Sequence, residues 1–317
     1  MRILFFGTAE FAVPSLEAVT APRYQVMACV TQPDRPQGRG QEVHPSPVRQ
    51  AALRLGLRVE APTDLRGAAQ ALEALHPDVG VVVSYGRLIP PELLGVPRHG
   101  LLGVHPSLLP KYRGASPVPW AILNGDHETG VSVFRLNERL DAGDLVGQRA
   151  VPIGPAETAD QLLARLAALG AEVLLETIDQ LQHGGAQFAP QDERTATYAP
   201  KLTKAFGHIN WADSAVSIDR LVRATQPWPG AYTSWRGEVM KLWRTMPDAG
   251  PRAATGRLGE ILSTSPDGVA VKTGEDVLLI RELQVGGRRR MSAKEFLAGH
   301  AMAVGDVLGE GPQANAA

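Results

Sequence analysis

The chain has 317 residues, a formal net charge of −1 and one cysteine. That length suffices for two domains with full cores, and a single cysteine excludes an internal disulfide and a cysteine-built zinc site. No run reaches the ~18 apolar residues of a membrane-spanning helix, and the opening MRILFFGTAEF turns polar too soon for a secretory leader, so a cytoplasmic protein is expected.

Strand and helix signals alternate through the first half. Ile3–Phe6 is a short apolar strand ending at Gly7 and Thr8, and a helix pattern follows from Pro14, a good first-turn residue. Gln25–Thr31 reads as a strand, Pro47–Leu55 as a helix, Val59 as part of a short strand, and Asp64–Leu75 as an Ala/Leu-rich helix. Val79–Val83 is a continuous apolar run of the kind buried on both faces of a sheet. Pro90–Leu94 is a short helix, Leu101–Val104 a strand, Pro117–Asn124 a helix and Val131–Leu136 a strand. This alternation predicts an α/β fold with a parallel, doubly wound sheet, whose ligands bind outside the carboxyl ends of the strands.

A helix is expected from Thr158, with Gln161 at capping-box spacing, to Gly184 and Gly185. Gln187–Lys204 has little periodicity and reads as a linker. Ser214–Ala224 reads as a helix. The runs Gly237–Trp243, Arg257–Ser263, Val269–Thr273 and Val277–Val285, broken by turn residues, suggest a small β-barrel. Gly309–Ala317 reads as disordered. The net charge hides a split: residues 1–200 hold 17 Lys and Arg against 21 Asp and Glu, and residues 201–317 hold 15 against 12. The basic second part, with the run Arg288-Arg289-Arg290, fits contact with a polyanion or a solvated charged loop.

Three places carry candidate chemistry. Gly7-Thr8 fits a phosphate cradle or a tight strand-to-helix turn; it lacks GxGxxG spacing and a Walker lysine. Thr31–Pro47 is a long polar loop, too rich in Pro and Gly for regular structure, on which Arg35 and Arg39 can reach phosphates or simply be solvated. The third is the stretch GLLGVHPSLLPKYRG followed by ETGVSVFRLNERLDAGD. His105 follows one strand and Asp141, 36 residues on, follows another, so neighbouring strand ends can bring them together. A carboxylate beside a histidine fixes the ring and supports its charged form.

The string HPSLLPKYRGASPVPWAILNGDHETGVSVFRLNERLDAGD resembles the 10-formyltetrahydrofolate-dependent formyltransferases, whose pattern is Asn-x-His, a Ser-Leu-Leu-Pro loop and Leu-Asp-x-Gly. That motif alone does not separate the branches acting on methionyl-tRNA, glycinamide ribonucleotide and sugars. FFGTAEFAVPSLEAV, SYGRLIP, YAPKLTKAFGHINW, ATQPWPGAY and MSAKEFLAGHAMAVGDVLG resemble the methionyl-tRNA branch. Departures are Ala9 for the usual Pro, Gln41-Glu42 where basic residues often stand, and Gly103 where the pattern has Asn.

The resemblance implies a Rossmann-like formyltransferase domain over residues 1–186, a linker over 187–204, an OB-like tRNA-binding β-barrel over 205–310 and a disordered tail over 311–317. It implies formyl transfer from 10-formyltetrahydrofolate, as co-substrate and without a metal, to the α-amine of methionyl-initiator tRNA, by a monomer with no membrane contact. His105 and Asp141 are then the catalytic pair, Ser107, Leu108, Leu109 and Pro110 the folate loop, and Arg39 the residue at the tRNA acceptor stem. A small-molecule formyltransferase has no use for the Arg39 loop or a basic barrel. Gly103 lacks the amide that the pattern aims at the formyl oxygen. Three readings stay open: a weakened enzyme with water in the amide's place, an impaired folate- and tRNA-binding variant, and a site in which another side chain supplies the donor, although neither nearby asparagine, Asn124 or Asn137, is at a matching position.

Overall fold

The longest apolar runs become the central strands. The computed structural model describes residues 1–37, 42–248 and 255–310; Arg39 and the tail 311–317 lie outside them. Its elements are β1 (Arg2–Gly7), α1 (Val13–Ala18), β2 (Gln25–Val30), β3 (Arg35–Gln37), β4 (Glu42–His44), α2 (Pro47–Arg54), β5 (Val59–Glu60), α3 (Ala69–Glu73), β6 (Val79–Val83), α4 (Pro91–Leu94), β7 (Leu101–His105), α5 (Pro117–Asn124), β8 (Glu128–Arg135), β9 (Leu145–Pro152) and α6 (Ala159–Gln182). After these come α7 (Ala215–Ala224), β10 (Ala231–Trp235), β11 (Glu238–Asp248), β12 (Ile261–Ser265), β13 (Gly268–Lys272), β14 (Val277–Val285), β15 (Met291–Ser292) and α8 (Ala293–Gly299).

The chain divides into two units. The first holds residues 1–117, 128–152 and 162–200, and the second holds 118–127, 153–161 and 201–317. The first is built on a seven-stranded sheet in the order β5-β2-β1-β6-β7-β8-β9. Its first five strands are parallel, and β8 pairs antiparallel with both β7 and β9. The sheet is therefore mixed rather than wholly parallel.

Four local expectations change. The Asp64–Leu75 helix shrinks to α3: the Asp64 carboxylate accepts the Arg66 and Gly67 amides at 3.0 and 3.1 Å, and the turn before α3 closes from the Ala69 amide to the Arg66 carbonyl at 3.0 Å. The long polar loop contains the ribbon β3–β4, with Arg35 opposite His44; a two-stranded ribbon has only edges, where Pro36 is tolerated. Strand β9 was not expected: it is a half-exposed edge strand, and its Arg149 binds Glu172 and Glu176 of α6 at 2.8 and 2.6 Å. Helix α8 was also missed, although Ser292 and Glu295 form a complete capping box at its start.

The second unit carries an antiparallel sheet in the order β10-β11-β14-β13-β12, with β15 on β14, consistent with an OB-like barrel. Its core joins Ile218 and Val222 of α7 to Met240, Leu242, Val271, Ile280 and Leu283. The Arg288-Arg289-Arg290 run is partly neutralised: Arg289 pairs with Glu295 at 3.0 Å and Arg290 with Glu282. Two of its three charges are thus engaged within the protein.

Cys29 is fully buried in β2, and burial pushes its thiol up to about 12. A thiol-reactive dye at pH 8 is expected to leave the folded protein unlabelled and to take up one equivalent in urea. Prompt labelling of the native protein would contradict that burial.

Candidate active site

β7 delivers His105 at its carboxyl end, in the parallel part of the sheet. Sheet order reverses between β1 and β6, which puts the ligand crevice of this architecture at the carboxyl ends of these strands. There Thr8 Oγ1 and Gln32 Nε2 both donate to the Tyr85 carbonyl, at 2.9 and 2.7 Å. At Gly7 a Cβ would lie 2.8 Å from the Phe5 ring and 3.1 Å from Ala12, so a tight strand-to-helix turn accounts for this glycine.

His105 is 7% exposed. Its Nε2 lies 2.9 Å from the Tyr112 carbonyl oxygen. A carbonyl only accepts, so Nε2 holds a proton and Nδ1 is the nitrogen turned to the site. Nδ1 stands 3.8 Å from Asp141 Oδ2. That oxygen also accepts the Gly114 amide at 2.8 Å. Tyr112 (φ 61°) and Asp141 (φ 49°) both occupy the left-handed region, which non-glycine residues hold only where their surroundings over-determine them.

The pair meets by a different route from the one expected. β8 is antiparallel to β7, with Ser132 opposite His105 and Arg135 opposite Leu102. The carboxyl end of β8 is therefore at the far end of β7 from His105. Asp141 reaches the histidine because the loop after β8 runs back before β9 begins.

The loop Ser107–Pro110 has its polar groups occupied. Ser132 Oγ donates to the Ser107 carbonyl at 2.7 Å and accepts the Leu109 amide at 2.9 Å. Gln148 Nε2 donates to the Leu109 carbonyl at 3.0 Å and to Ser132 Oγ at 2.8 Å. Ser107 Oγ donates to the Lys111 carbonyl at 2.6 Å. The loop is thus held in shape from β8 and β9.

Residues 1–178 match the formyl transferase family model, and residues 201–301 match the model of the formyl transferase C-terminal domain. The methionyl-tRNA formyltransferase of Alkaliphilus oremlandii is 41% identical over 98% of this chain and 100% of its own length. That of Desulforamulus reducens is 43% identical over 99% and 100%. The chain belongs to the methionyl-tRNA formyltransferase family.

Solved structures agree at the level of fold. The sugar 3N-formyl transferase WlaRD, crystallised with dTDP and 5-N-formyl-THF, superposes with a TM-score of 0.67 at 16% identity, covering 91% of this chain and 99% of its own. HypX from Aquifex aeolicus, in complex with tetrahydrofolic acid, gives a TM-score of 0.64 at 21% identity, covering 94% of this chain; the chain spans 47% of HypX.

Against the formyltransferase pattern, Gly103 is the departure nearest His105. Two residues apart on one strand, both face the same side of the sheet. Phe134 is the cross-strand partner of Gly103, and its ring folds over the glycine. A Cβ there would lie 2.6 Å from Phe134 Cε1 and 2.8 Å from Leu136 Cδ1. A side chain, or a water close against this Cα, first has to move those groups. Asn137 turns its Oδ1 onto the Arg139 amide at 2.9 Å.

Sequence reasoning missed Ser132, Gln148 and Gln191. Ser132 did leave a signal, as a polar residue inside the apolar run Val131–Phe134. Gln148 lies on the unrecognised edge strand, and Gln191 sits in the stretch read as a linker. Among the described residues, no group of three or more His, Cys, Asp or Glu is placed to hold a metal, and no helix is long and apolar enough to cross a membrane.

Proposed function

We propose that this protein transfers the formyl group of 10-formyltetrahydrofolate to the α-amino group of methionyl-initiator tRNA. In this reading His105 and Asp141 react, Ser107, Leu108, Leu109 and Pro110 face the folate, and Arg39 meets the tRNA. The working arrangement is a formyltransferase domain over 1–186, joined through 187–204 to a tRNA-binding barrel over 205–310, with the tail 311–317 outside both. It acts as a cytoplasmic monomer. The observation that carries the reading is identity above 40% to methionyl-tRNA formyltransferases over nearly the whole chain.

The site residues fit a folate loop. With its backbone groups tied to Ser132 and Gln148, the loop offers the co-substrate a preformed wall and the partly exposed Leu108 and Pro110. When bound, the folate supplies an activated formyl carbon next to His105. The neutral amine attacks that carbon, a C–N bond forms, and the bond to N10 of the folate breaks. Asp141 takes the proton that leaves the amine, directly or through a water. Nδ1 of His105 is the group placed to meet charge on the formyl oxygen and to pass the proton taken by Asp141 on to N10. The Tyr112 carbonyl keeps Nε2 protonated throughout, so the ring works through one nitrogen.

A second reading, an impaired protein retained for binding folate or tRNA, is favoured by one observation, the ring of Phe134 over Gly103. Incubating the purified protein with 10-formyltetrahydrofolate and methionyl-initiator tRNA separates the two. Formylmethionyl-tRNA is the expected product. Tight tRNA binding without product selects the second reading, and neither binding nor product overturns both.

A further inference from the structure

The stretch expected to be a linker is bonded into the catalytic pair. Gln191 is 8% exposed and uses its whole amide. Its Nε2 donates to the carbonyls of Asp141 and Gly143, both at 2.8 Å. Its Oε1 accepts Nε and Nη2 of Arg113 at 3.1 and 2.8 Å. Two carbonyls at one end and a guanidinium at the other leave only one chemically sensible orientation of the amide. Gln191 therefore clamps the left-handed turn that presents the Asp141 carboxylate.

The same stretch holds the other side of the pair. Thr197 Oγ1 accepts the Tyr112 amide at 2.9 Å. The Thr197 carbonyl accepts the Arg113 amide at 2.9 Å, and the Thr197 amide donates to the Pro110 carbonyl at 3.2 Å. Tyr112 is the residue whose carbonyl binds His105 Nε2. Arg113 joins the two anchors. It is 1% exposed and its guanidinium meets Glu193 at 2.9 Å, a bond that holds the Glu193 carboxyl below its ordinary value. Buried polar groups satisfied to this degree specify one geometry.

We propose that Gln191 and Thr197 are positioning residues of the formyl-transfer site: Gln191 sets the Asp141 carboxylate, and Thr197 sets the Tyr112 carbonyl that orients His105. The inference rests on the assignment of His105 and Asp141 as the reacting pair. Neither positioning residue touches the reacting atoms. Each acts by holding a partner within a fraction of an ångström, and a ~1 Å misplacement costs on the order of 100-fold in rate.

Two near-isosteric substitutions test it. Gln191→Glu keeps the bond to Arg113 and removes both donors to the Asp141 loop. Thr197→Val keeps the shape and removes the acceptor for the Tyr112 amide. Each is expected to lower kcat by roughly 10- to 100-fold, with KM for 10-formyltetrahydrofolate and for methionyl-tRNA within about 3-fold of the parent. The pH dependence of kcat should change shape as well, since the pair that moves protons is displaced. Gln191→Asn, which restores the amide on a shorter arm, should recover part of the loss. Unchanged kcat in both Gln191→Glu and Thr197→Val overturns the proposal. So does a loss that merely tracks the fraction of folded protein, with an unaltered pH profile. If His105→Ala is itself fully active, the assignment of the reacting pair has failed and not the positioning.

Discussion

His105→Ala is expected to lower kcat/KM for formyl transfer by about 100- to 10,000-fold, the range for loss of a positioned acid–base group, with the protein still folded. The magnitude follows from how the ring is held. Nε2 is committed to the Tyr112 carbonyl at 2.9 Å, so Nδ1 is the only nitrogen free to exchange a proton with the reacting groups. Asp141 stands 3.8 Å from that nitrogen, with one carboxylate oxygen already anchored by the Gly114 amide. Alanine removes the donor while Asp141 keeps its backbone anchor, so the loss should appear in kcat far more than in the KM for either substrate. Steady-state kinetics with methionyl-initiator tRNA, beside a melting curve, measures both. A variant that turns over at the parent rate shows that another group carries the proton.

Gly103→Asn is expected to raise kcat by at least ~10-fold with little change in the affinity for folate. The loss of one hydrogen-bond donor to a developing oxyanion typically costs ~100- to 1,000-fold, or ~2.7–4 kcal/mol, and position 103 faces the same side of β7 as His105. The structure adds a condition. Phe134 and Leu136 occupy the space the new side chain needs, at 2.6 and 2.8 Å from its first carbon. Both contacts are the far ends of side chains rather than backbone, so they can move, at the ~1–3 kcal/mol typical of overpacking. The single variant should therefore melt lower than the parent while turning over faster. Pairing it with Phe134→Leu should recover the stability and increase the gain in rate, a coupling that a double-mutant cycle reads directly. If turnover stays at the parent value in both the single and the paired variant, position 103 is not where this protein lacks a donor.

Much of the fold is legible along the chain because burial on both faces writes a continuous apolar run. Val79–Val83 has the bounds read from such a run, and Val277–Val285 has those read from a β-rich segment between turn residues. Pro117–Asn124 has the bounds read from its helical pattern. The edge strand β9 is not legible in this way: one side of it meets solvent, and Gly147, Gln148 and Arg149 interrupt any apolar pattern. Composition also misled at Asp64–Leu75, where a run of good helix formers is helical only over Ala69–Glu73.

By itself the sequence determined the alternating α/β order of the first part, the β-rich second part, and the two side chains, His105 and Asp141, proposed for acid–base chemistry. Those are properties of local patterning and residue type, which each segment holds in isolation. Tertiary structure alone decided that His105 and Asp141 meet through a returning loop, that Phe134 closes over Gly103, and that Gln191 and Thr197 hold the pair. These facts depend on which distant backbone groups lie within about 3 Å of one another. A glutamine and a threonine in an aperiodic stretch look the same in sequence whether they face water or anchor a catalytic turn. Only the antiparallel return of β8, and the course of residues 189–199 beside 110–116, distinguish the two.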